Sequence, residues 1–258
     1  MLNNGAAISV LCKNSGIKCR IIDIGVDYDF NDNPRLIKKK VKKGTDNFLR
    51  GPAMTEAELE KAFLAGYQLG FNCTADITGI GEMGIGNTSS SSALYSLLLE
   101  EEPYNTVGSG TGAQGELLTH KKKVIKQAVE NHRKEWDGTP IDALRRVGGF
   151  EIAGMSGFIF GSANRNVPVV IDGFIASVSA LISLKMLPEI KDYLYFAHQS
   201  EEQYHKTLLK LLKIEPILNL HMRLGEGTGA ALAINIIQQA LNCYSEMATF
   251  SSANVSNI

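Results

Sequence analysis

The 258-residue sequence predicts an α/β fold with a mainly parallel sheet and helices packed against it. Short apolar runs rich in β-branched residues, at 18–26 and 167–171, have the character of strands buried on both faces. Longer helical patterns separate these runs, the alternation that builds βαβ units. Glycine-rich turns join strand ends to the helices that follow, most clearly at 81–88 and 225–229.

In chain order, Ala6, Ala7, Val10 and Leu11 share one face, which predicts a short helix closed at Gly16. Residues 18–26 follow as a buried strand ending in Asp27, Tyr28 and Asp29. Acidic residues there either meet a ligand or form a turn. Residues 30–52 are polar and strand-poor. Thr55 and Glu58 make a capping box, which starts a helix running through Leu69. A weak strand over 72–78 leads into the first glycine motif and a helix over 90–100. The helix over 116–132 carries Lys121, Lys122 and Lys123 near its start, where positive charge opposes the helix dipole, so at least one is expected to face an anion.

A short helix over 142–147 precedes the small, apolar segment 152–163, which reads as a tightly packed helix. Residues 167–171 are the clearest strand and end in Asp172. A helix over 175–187 stops at Pro188. A strand over 193–198, a helix over 205–212, a strand over 217–220 and a long helix over 230–247 complete the pattern. The polar tail 251–258 is expected to be loose.

Composition narrows the function classes. Hydrophobic residues make up 44% and charged residues 21%, an ordinary balance for a globular domain of this size. A formal net charge of −1 gives no electrostatic case for nucleic acid or a membrane surface. Lysine fills five of the six positions 38–43, a run read as a solvated strand edge or loop. The four cysteines show no CxxC spacing, so neither a zinc site nor a disulfide framework is expected, and the compartment is read as reducing and cytoplasmic. No apolar run reaches the roughly 20 residues that span a bilayer, and the start lacks a signal-peptide pattern.

The first glycine motif, Gly81 to Thr88, carries three glycines, one carboxylate and a following run of hydroxyl residues. Such a loop brings backbone N–H groups close to a ligand and places a helix N-terminus behind it, which suits a phosphate. It is equally the composition of a tight strand-to-helix turn with an Asn/Thr cap. A second cluster at 108–113 superficially resembles a dinucleotide fingerprint. No apolar strand precedes it and no acidic residue ends a following strand at the required distance, which argues against a nicotinamide dehydrogenase.

Glu82 and Glu226 are both bracketed by glycines at strand-to-helix junctions. Junctions of this kind share one edge of a parallel sheet, so the two carboxylates are expected to face one pocket. With Ala230, Ala231 and Leu232 behind it, Glu226 would be partly desolvated, a setting for a general base; its other reading is a helix-cap carboxylate. The histidines are scattered without HxxxH spacing. Neither a Walker lysine motif nor a nucleophile elbow is present. No metal and no cofactor is expected.

Seven segments together resemble the nicotinate-nucleotide–dimethylbenzimidazole phosphoribosyltransferase family of cobalamin lower-ligand synthesis. They are NGAAI at 4–8, DIGVDYDF at 23–30, GTDNFLRGPAM at 44–54, GEMGIGNT at 81–88, GGFEIAGMSG at 148–157, VPVVIDGF at 167–174 and MRLGEGTGAAL at 222–232. The resemblance implies a three-layer, Rossmann-like domain over residues 1–228, with residues 1–15 and a helix over 229–250 contributing to a small helical subdomain. It also implies an N-terminally truncated chain, since the family has a further segment ahead of the point where Met1 aligns, and a homodimer.

By resemblance, ribose phosphate passes from nicotinate mononucleotide to dimethylbenzimidazole, with Glu226 as base and Glu82 as a second carboxylate. Met83, Gly84, Ile85, Gly86, Asn87, Thr88, Gly110, Lys121, Asp172, Gly225 and Gly227 would contact substrate, Lys121 through the phosphate. Asp27 falls in a family motif and is assigned only a general place near the site. The alternative is a catalytically silent relative that binds nucleotide or benzimidazole.

Overall fold

The computed structural model describes residues 1–110 and 112–253, so the expected loose tail lies outside the described residues from 254 on. The helices are α1 (Ala7–Asn14), α2 (Glu56–Phe71), α3 (Asn87–Leu98), α4 (Pro103–Thr106), α5 (Gly115–Arg133), α6 (Pro140–Val147), α7 (Phe150–Ala163), α8 (Phe174–Met186), α9 (His205–Leu211) and α10 (Thr228–Glu246). The strands are β1 (Ile21–Asp23), β2 (Leu36–Lys38), β3 (Thr78–Ile80), β4 (Val169–Ile171), β5 (Leu194–Phe196), β6 (His198–Ser200) and β7 (Leu218–Met222).

Every strand pairing is parallel. β3, β4 and β5 form a sheet with Thr78 opposite Val169 and Val169 opposite Leu194. Ala197 donates its N–H to the Ile171 carbonyl at 2.8 Å and accepts from Leu218 N–H at 2.9 Å. It therefore joins β5 and β6 into one bent strand, and the sheet continues through β6 to β7. β1 and β2 pair separately.

β4 shows why the layers form. Val169, Val170 and Ile171 are all fully buried, and successive side chains of a strand point to opposite faces. Val169 and Ile171 pack with Met155, Ile159, Ala176 and Ala180 of α7 and α8. Val170 packs with Ala230, Ala233 and Ile234 of α10 on the other face. Helices thus cover both faces, as the sequence predicts, and α1 lies against α10. None of the described helices is long and apolar enough to cross a membrane.

Several local expectations are corrected. The strand-poor stretch 30–52 contains β2, because the apolar pair Leu36 and Ile37 lies alongside Ile21 and Ile22. The strand expected over 72–78 is instead Thr78–Ile80, the segment that reaches β4; Gly79 lets it lie close to α10, since a Cβ there would sit a tight 3.1 Å from both Ala230 Cβ and Ile234 Cδ1. Pro188–Tyr193 is a 3-10 turn, which delays the strand expected from 193. α3 starts at Asn87 rather than 90, since Gly86 at φ +78° supplies the turn into the helix. α4 was not foreseen; it is held by Ser92 Oγ donating to the Thr106 carbonyl at 2.8 Å and Thr106 Oγ1 donating to the Ser92 carbonyl at 3.0 Å. The serine run of α3 therefore serves packing as well as the start of the helix.

The lysine run behaves as a charged edge. Lys38 pairs with Asp32, Lys40 with Asp23 and Asp29, Lys42 with Asp46 and Glu58, and Lys43 with Asp29.

α2 and α7 pack closely because glycine replaces side chain where they cross. A Cβ on Gly66 would run into the Gly154 carbonyl, and one on Gly157 into the Phe63 carbonyl. Overpacking of this kind costs about 1–3 kcal/mol. Gly66→Ala is expected to lower the urea-unfolding free energy by about that amount, while an exposed substitution such as Glu60→Ala leaves it nearly unchanged.

Candidate active site

Strand C-termini share one edge of the parallel sheet, and the loops after β3, β4, β6 and β7 gather there. β3 and β7 lie at opposite ends of the sheet, yet their loops meet. The loop after β7 runs back across the edge, and Glu226 N–H donates to the Glu82 carbonyl at 3.2 Å. A Cβ on Gly81 would collide with the Gly227 backbone, so close approach fixes glycine at that position. Gly225, Glu226 and Gly227 take φ of +77°, +64° and +86° in succession. For a glutamate that conformation is strained, typically by about 1–3 kcal/mol, and the surroundings must hold it.

Asp172, at the end of β4, does so. Its carboxylate is 3% exposed. Oδ2 accepts from Gly227 N–H at 3.0 Å and Oδ1 from Ala230 N–H at 3.1 Å. Gly227 has no side chain with which to cap α10, so Asp172 caps that helix from a neighbouring strand. Both oxygens of this sequence-expected substrate contact are therefore engaged with protein backbone.

His198 Nε2 stands 3.8 Å from Asp172 Oδ1. Burial raises the Asp172 carboxyl above its usual range, while His198 and the backbone N–H groups oppose that shift. Beneath it, His205 Nδ1 accepts from Ser200 N–H at 2.8 Å, which leaves Nε2 to donate to Ser177 Oγ at 2.9 Å. Burial, with His198 adding, holds the His205 pKa down at about 3.

Glu226 itself is half-buried, and its Oε2 accepts from Ile8 N–H at 3.4 Å in the first turn of α1. The carboxylate thus faces the start of α1 and not that of its own helix. Glu82 Oε2 accepts from Gly84 N–H at 2.8 Å and from the Asn87 amide. Burial pushes the Glu82 carboxyl up, opposed by those two donors, with the Asp172 charge adding to the rise. Met83 and Ile85 are 68% and 106% exposed, and Leu224 on the facing loop is also exposed. Apolar side chains presented to solvent on two adjoining glycine loops offer faces to an aromatic ring.

A cationic corner lies further along the same edge. Lys121 Nζ donates to Thr88 Oγ1 and to the Gly108 carbonyl, both at 3.1 Å. Desolvation lowers its pKa, with the Glu202 charge opposing; no carboxylate among the described residues forms an ion pair with it. Gly110 sits between, at φ +55°, where a Cβ would come 2.8 Å from Thr88 Oγ1 and 3.2 Å from Lys121 Nζ. Arg223 donates to the Gly110 carbonyl at 3.0 Å and brings a second cation. With the N-terminus of α3 behind Thr88, this corner suits an anion. Lys122 instead lies over the Tyr104 ring, and Asp27 lies beside Lys43, on the charged edge of β2.

The structure thus gathers Glu82, Asn87, Gly225, Glu226 and Gly227 at one end, with Thr88, Gly110 and Lys121 at the other. Sequence reasoning missed Arg223, whose signal was its place between a strand and a glycine loop.

A family model described as a phosphoribosyltransferase matches residues 1–255. The nicotinate-nucleotide–dimethylbenzimidazole phosphoribosyltransferase of Chlorobium chlorochromatii is 47% identical, over 99% of this chain and 73% of its own length. The chain belongs to this phosphoribosyltransferase family. The enzyme of the same name from Geobacter metallireducens is 44% identical, over 98% of this chain and 72% of its own. The crystal structure of CobT from Thermus thermophilus superposes with a TM-score of 0.93 at 36% identity, covering 100% of this chain and 77% of that one. In a phosphoribosyltransferase, a corner suited to an anion and a separate carboxylate end make chemical sense. The group transferred carries its phosphate along intact.

His205 gives this phosphoribosyltransferase a pH-dependent stability. Its folded pKa of about 3 lies below the ordinary 6.5, so the unfolded chain takes up the proton first as pH falls. Stability is therefore complete above the unfolded value and is lost as pH drops through the interval toward the folded one. From pH 7 to pH 5 the loss from this residue should be about 2 kcal/mol. Urea titrations across that range are expected to show it, with a shallower slope for His205→Gln.

Proposed function

We infer that this chain transfers the phosphoribosyl group of nicotinate mononucleotide to dimethylbenzimidazole, giving α-ribazole phosphate and nicotinate, in cobalamin synthesis. Family membership along almost the whole chain supports the reaction. The observation that carries the site is the meeting of the Glu82 and Glu226 loops, with Lys121, which pairs with no carboxylate among the described residues, held by Thr88 nearby. Nicotinate departs from a pyridinium as a neutral ring nitrogen and needs no proton. The incoming benzimidazole must lose its ring N–H proton, and Glu226 is the base assigned to take it. Attack from the face opposite the departing ring turns the β anomer into the α product.

In this reading Lys121, Thr88 and Gly110, with Arg223, grip the phosphate, and the loop from Met83 to Asn87 lines the nucleotide. Met83, Ile85 and Leu224 supply apolar faces for the two aromatic rings. Asp172 and Gly227 hold Glu226 in place. Residues 1–15 and the helix over 229–250 are read as parts of one small subdomain, consistent with α1 lying against α10. A homodimer in a cytoplasmic setting completes the proposal. The silent-relative alternative has no use for a base, and both glutamates are present.

Glu226→Gln keeps the shape and removes the base. Its turnover is expected to fall more than about tenfold, a barrier increase above ~1.4 kcal/mol, with nicotinate mononucleotide binding little changed by calorimetry. A variant retaining wild-type release of nicotinate would remove Glu226 from the mechanism. Lys121→Met should do the reverse, weakening nucleotide binding by about tenfold or more through loss of charged hydrogen bonds.

A further inference from the structure

His198 opens β6 and lies against the start of α10. It is 2% exposed, and its ring sits in a seat made by two glycines. A Cβ on Gly229, in the first turn of α10, would run into His198 Cδ2 and stand 2.8 Å from both His198 Nε2 and Asp172 Oδ1. One on Gly173, just before α8, would stand 3.2 Å from Nε2. Two helix starts thus give up side chain where the imidazole edge and the carboxylate approach each other, with Nε2 3.8 Å from Oδ1.

The other ring nitrogen decides where the proton lies. Nδ1 is buried and has no hydrogen-bond partner among the described residues. The His205 ring stands edge-on, 6.5 Å away between centroids, and has nothing to offer it. His205 Nδ1 accepts from Ser200 N–H, and its Nε2 donates to Ser177 Oγ. An N–H on His198 Nδ1 would be a buried donor without an acceptor, and it would leave a lone pair on Nε2 facing the carboxylate charge. The other tautomer leaves only an unfilled acceptor at Nδ1 and turns the Nε2 N–H toward Oδ1. At 3.8 Å this contact is longer than a hydrogen bond. It acts through alignment of the N–H dipole with a charge in a dry setting.

We propose that His198 is a positioning residue for the transfer reaction: its Nε2–H tautomer holds the Asp172 carboxylate in the orientation that binds Gly227 and Ala230, and so keeps Glu226 in place. The chain of contacts is short. Oδ1 takes the Ala230 N–H and faces His198, while Oδ2 takes the N–H of Gly227, the residue after Glu226. Rotation of the carboxylate would weaken both bonds together and loosen the left-handed turn that carries Glu226. The proposal rests on the reading of Glu226 as the base. The phosphate corner at Lys121 and Thr88 is not part of this chain of contacts, so the effect falls on kcat and not on nucleotide binding.

Long-range 1H–15N spectra of the substrate-free protein at neutral pH report the tautomer, with His198 assigned by the signals lost in His198→Gln. A bare Nδ1 and a protonated Nε2 are expected. A protonated Nδ1, in the neutral ring or the imidazolium, overturns the proposal. In turnover, His198→Leu keeps bulk without the N–H and should lower kcat by about tenfold or more, with KM for nicotinate mononucleotide within about twofold. His198→Gln returns an N–H near the Nε2 position and should stay within about fivefold of wild type. In an Asp172→Asn background, His198→Leu should cost less than about twofold more. Equal losses in the Leu and Gln variants, or losses that add in full to Asp172→Asn, overturn the proposal. If His198→Leu does not fold, the wild-type tautomer and the turnover of His198→Gln decide. If wild type releases no nicotinate, the transfer reading fails by itself. The tautomer, and the Gly227 and Ala230 amide signals expected to stay in place in His198→Gln, need no substrate and still decide whether His198 holds Asp172.

Discussion

The Asp172 carboxylate is the interaction on which the rest of the site depends. It sits at the end of the most buried strand and bonds to Gly227 and Ala230 across the intervening sheet edge. Without it, two N–H groups at the start of a 19-residue helix would lose their partner in a dry environment. An ionised carboxylate at this depth is costly to bury. The helix dipole, the backbone donors and His198 oppose that cost, and burial still holds the carboxyl above its usual range. The strand order makes the bond necessary, because β7 lies at the far end of the sheet and its loop must cross back over β6 and β4 to reach β3.

That crossing explains the backbone strain. Three successive left-handed residues turn the chain sharply enough to bring Glu226 beneath the Glu82 carbonyl. Glycine adopts the conformation at little cost on either side. Glutamate does not, and strain at a non-glycine residue persists where its surroundings over-determine it. Here the hydrogen bond to Glu82, the tether of Gly227 by Asp172 and the contact of the carboxylate with Ile8 supply three such constraints.

Much of this was legible in the sequence, for a physical reason in each case. Buried parallel strands require continuous apolar runs, so residues 167–171 declared themselves. Glycines at strand ends marked both carboxylate loops, and the shared edge of a parallel sheet predicted that they could meet. β2 and α4 escaped because they owe their existence to partners distant in sequence or to serine–threonine pairing, and not to periodicity. Asp172 was noticed as an acidic strand end, but whether such a group faces ligand or backbone depends on what the β7 loop brings to it.

The site is polarised along its length, and the polarity matches the proposed substrate. Lys121 and Arg223 occupy one end, with the N-terminus of α3 between them and the glycine loop. Glu82 and Glu226 occupy the other. Nicotinate mononucleotide carries a phosphate dianion at one end of the ribose and a cationic pyridinium bond at the other, so only one orientation satisfies both ends. The same arrangement works through the reaction. The phosphate keeps its charge and its grip, whereas the positive charge passes from the pyridinium to the ribose and then to the benzimidazole, which sheds it as a proton. In the proposed orientation each of those centres would stand at the carboxylate end in turn. Fixed charges preorganised for a moving one need no rearrangement at the moment of transfer, which is what the rigid tether through Asp172 secures.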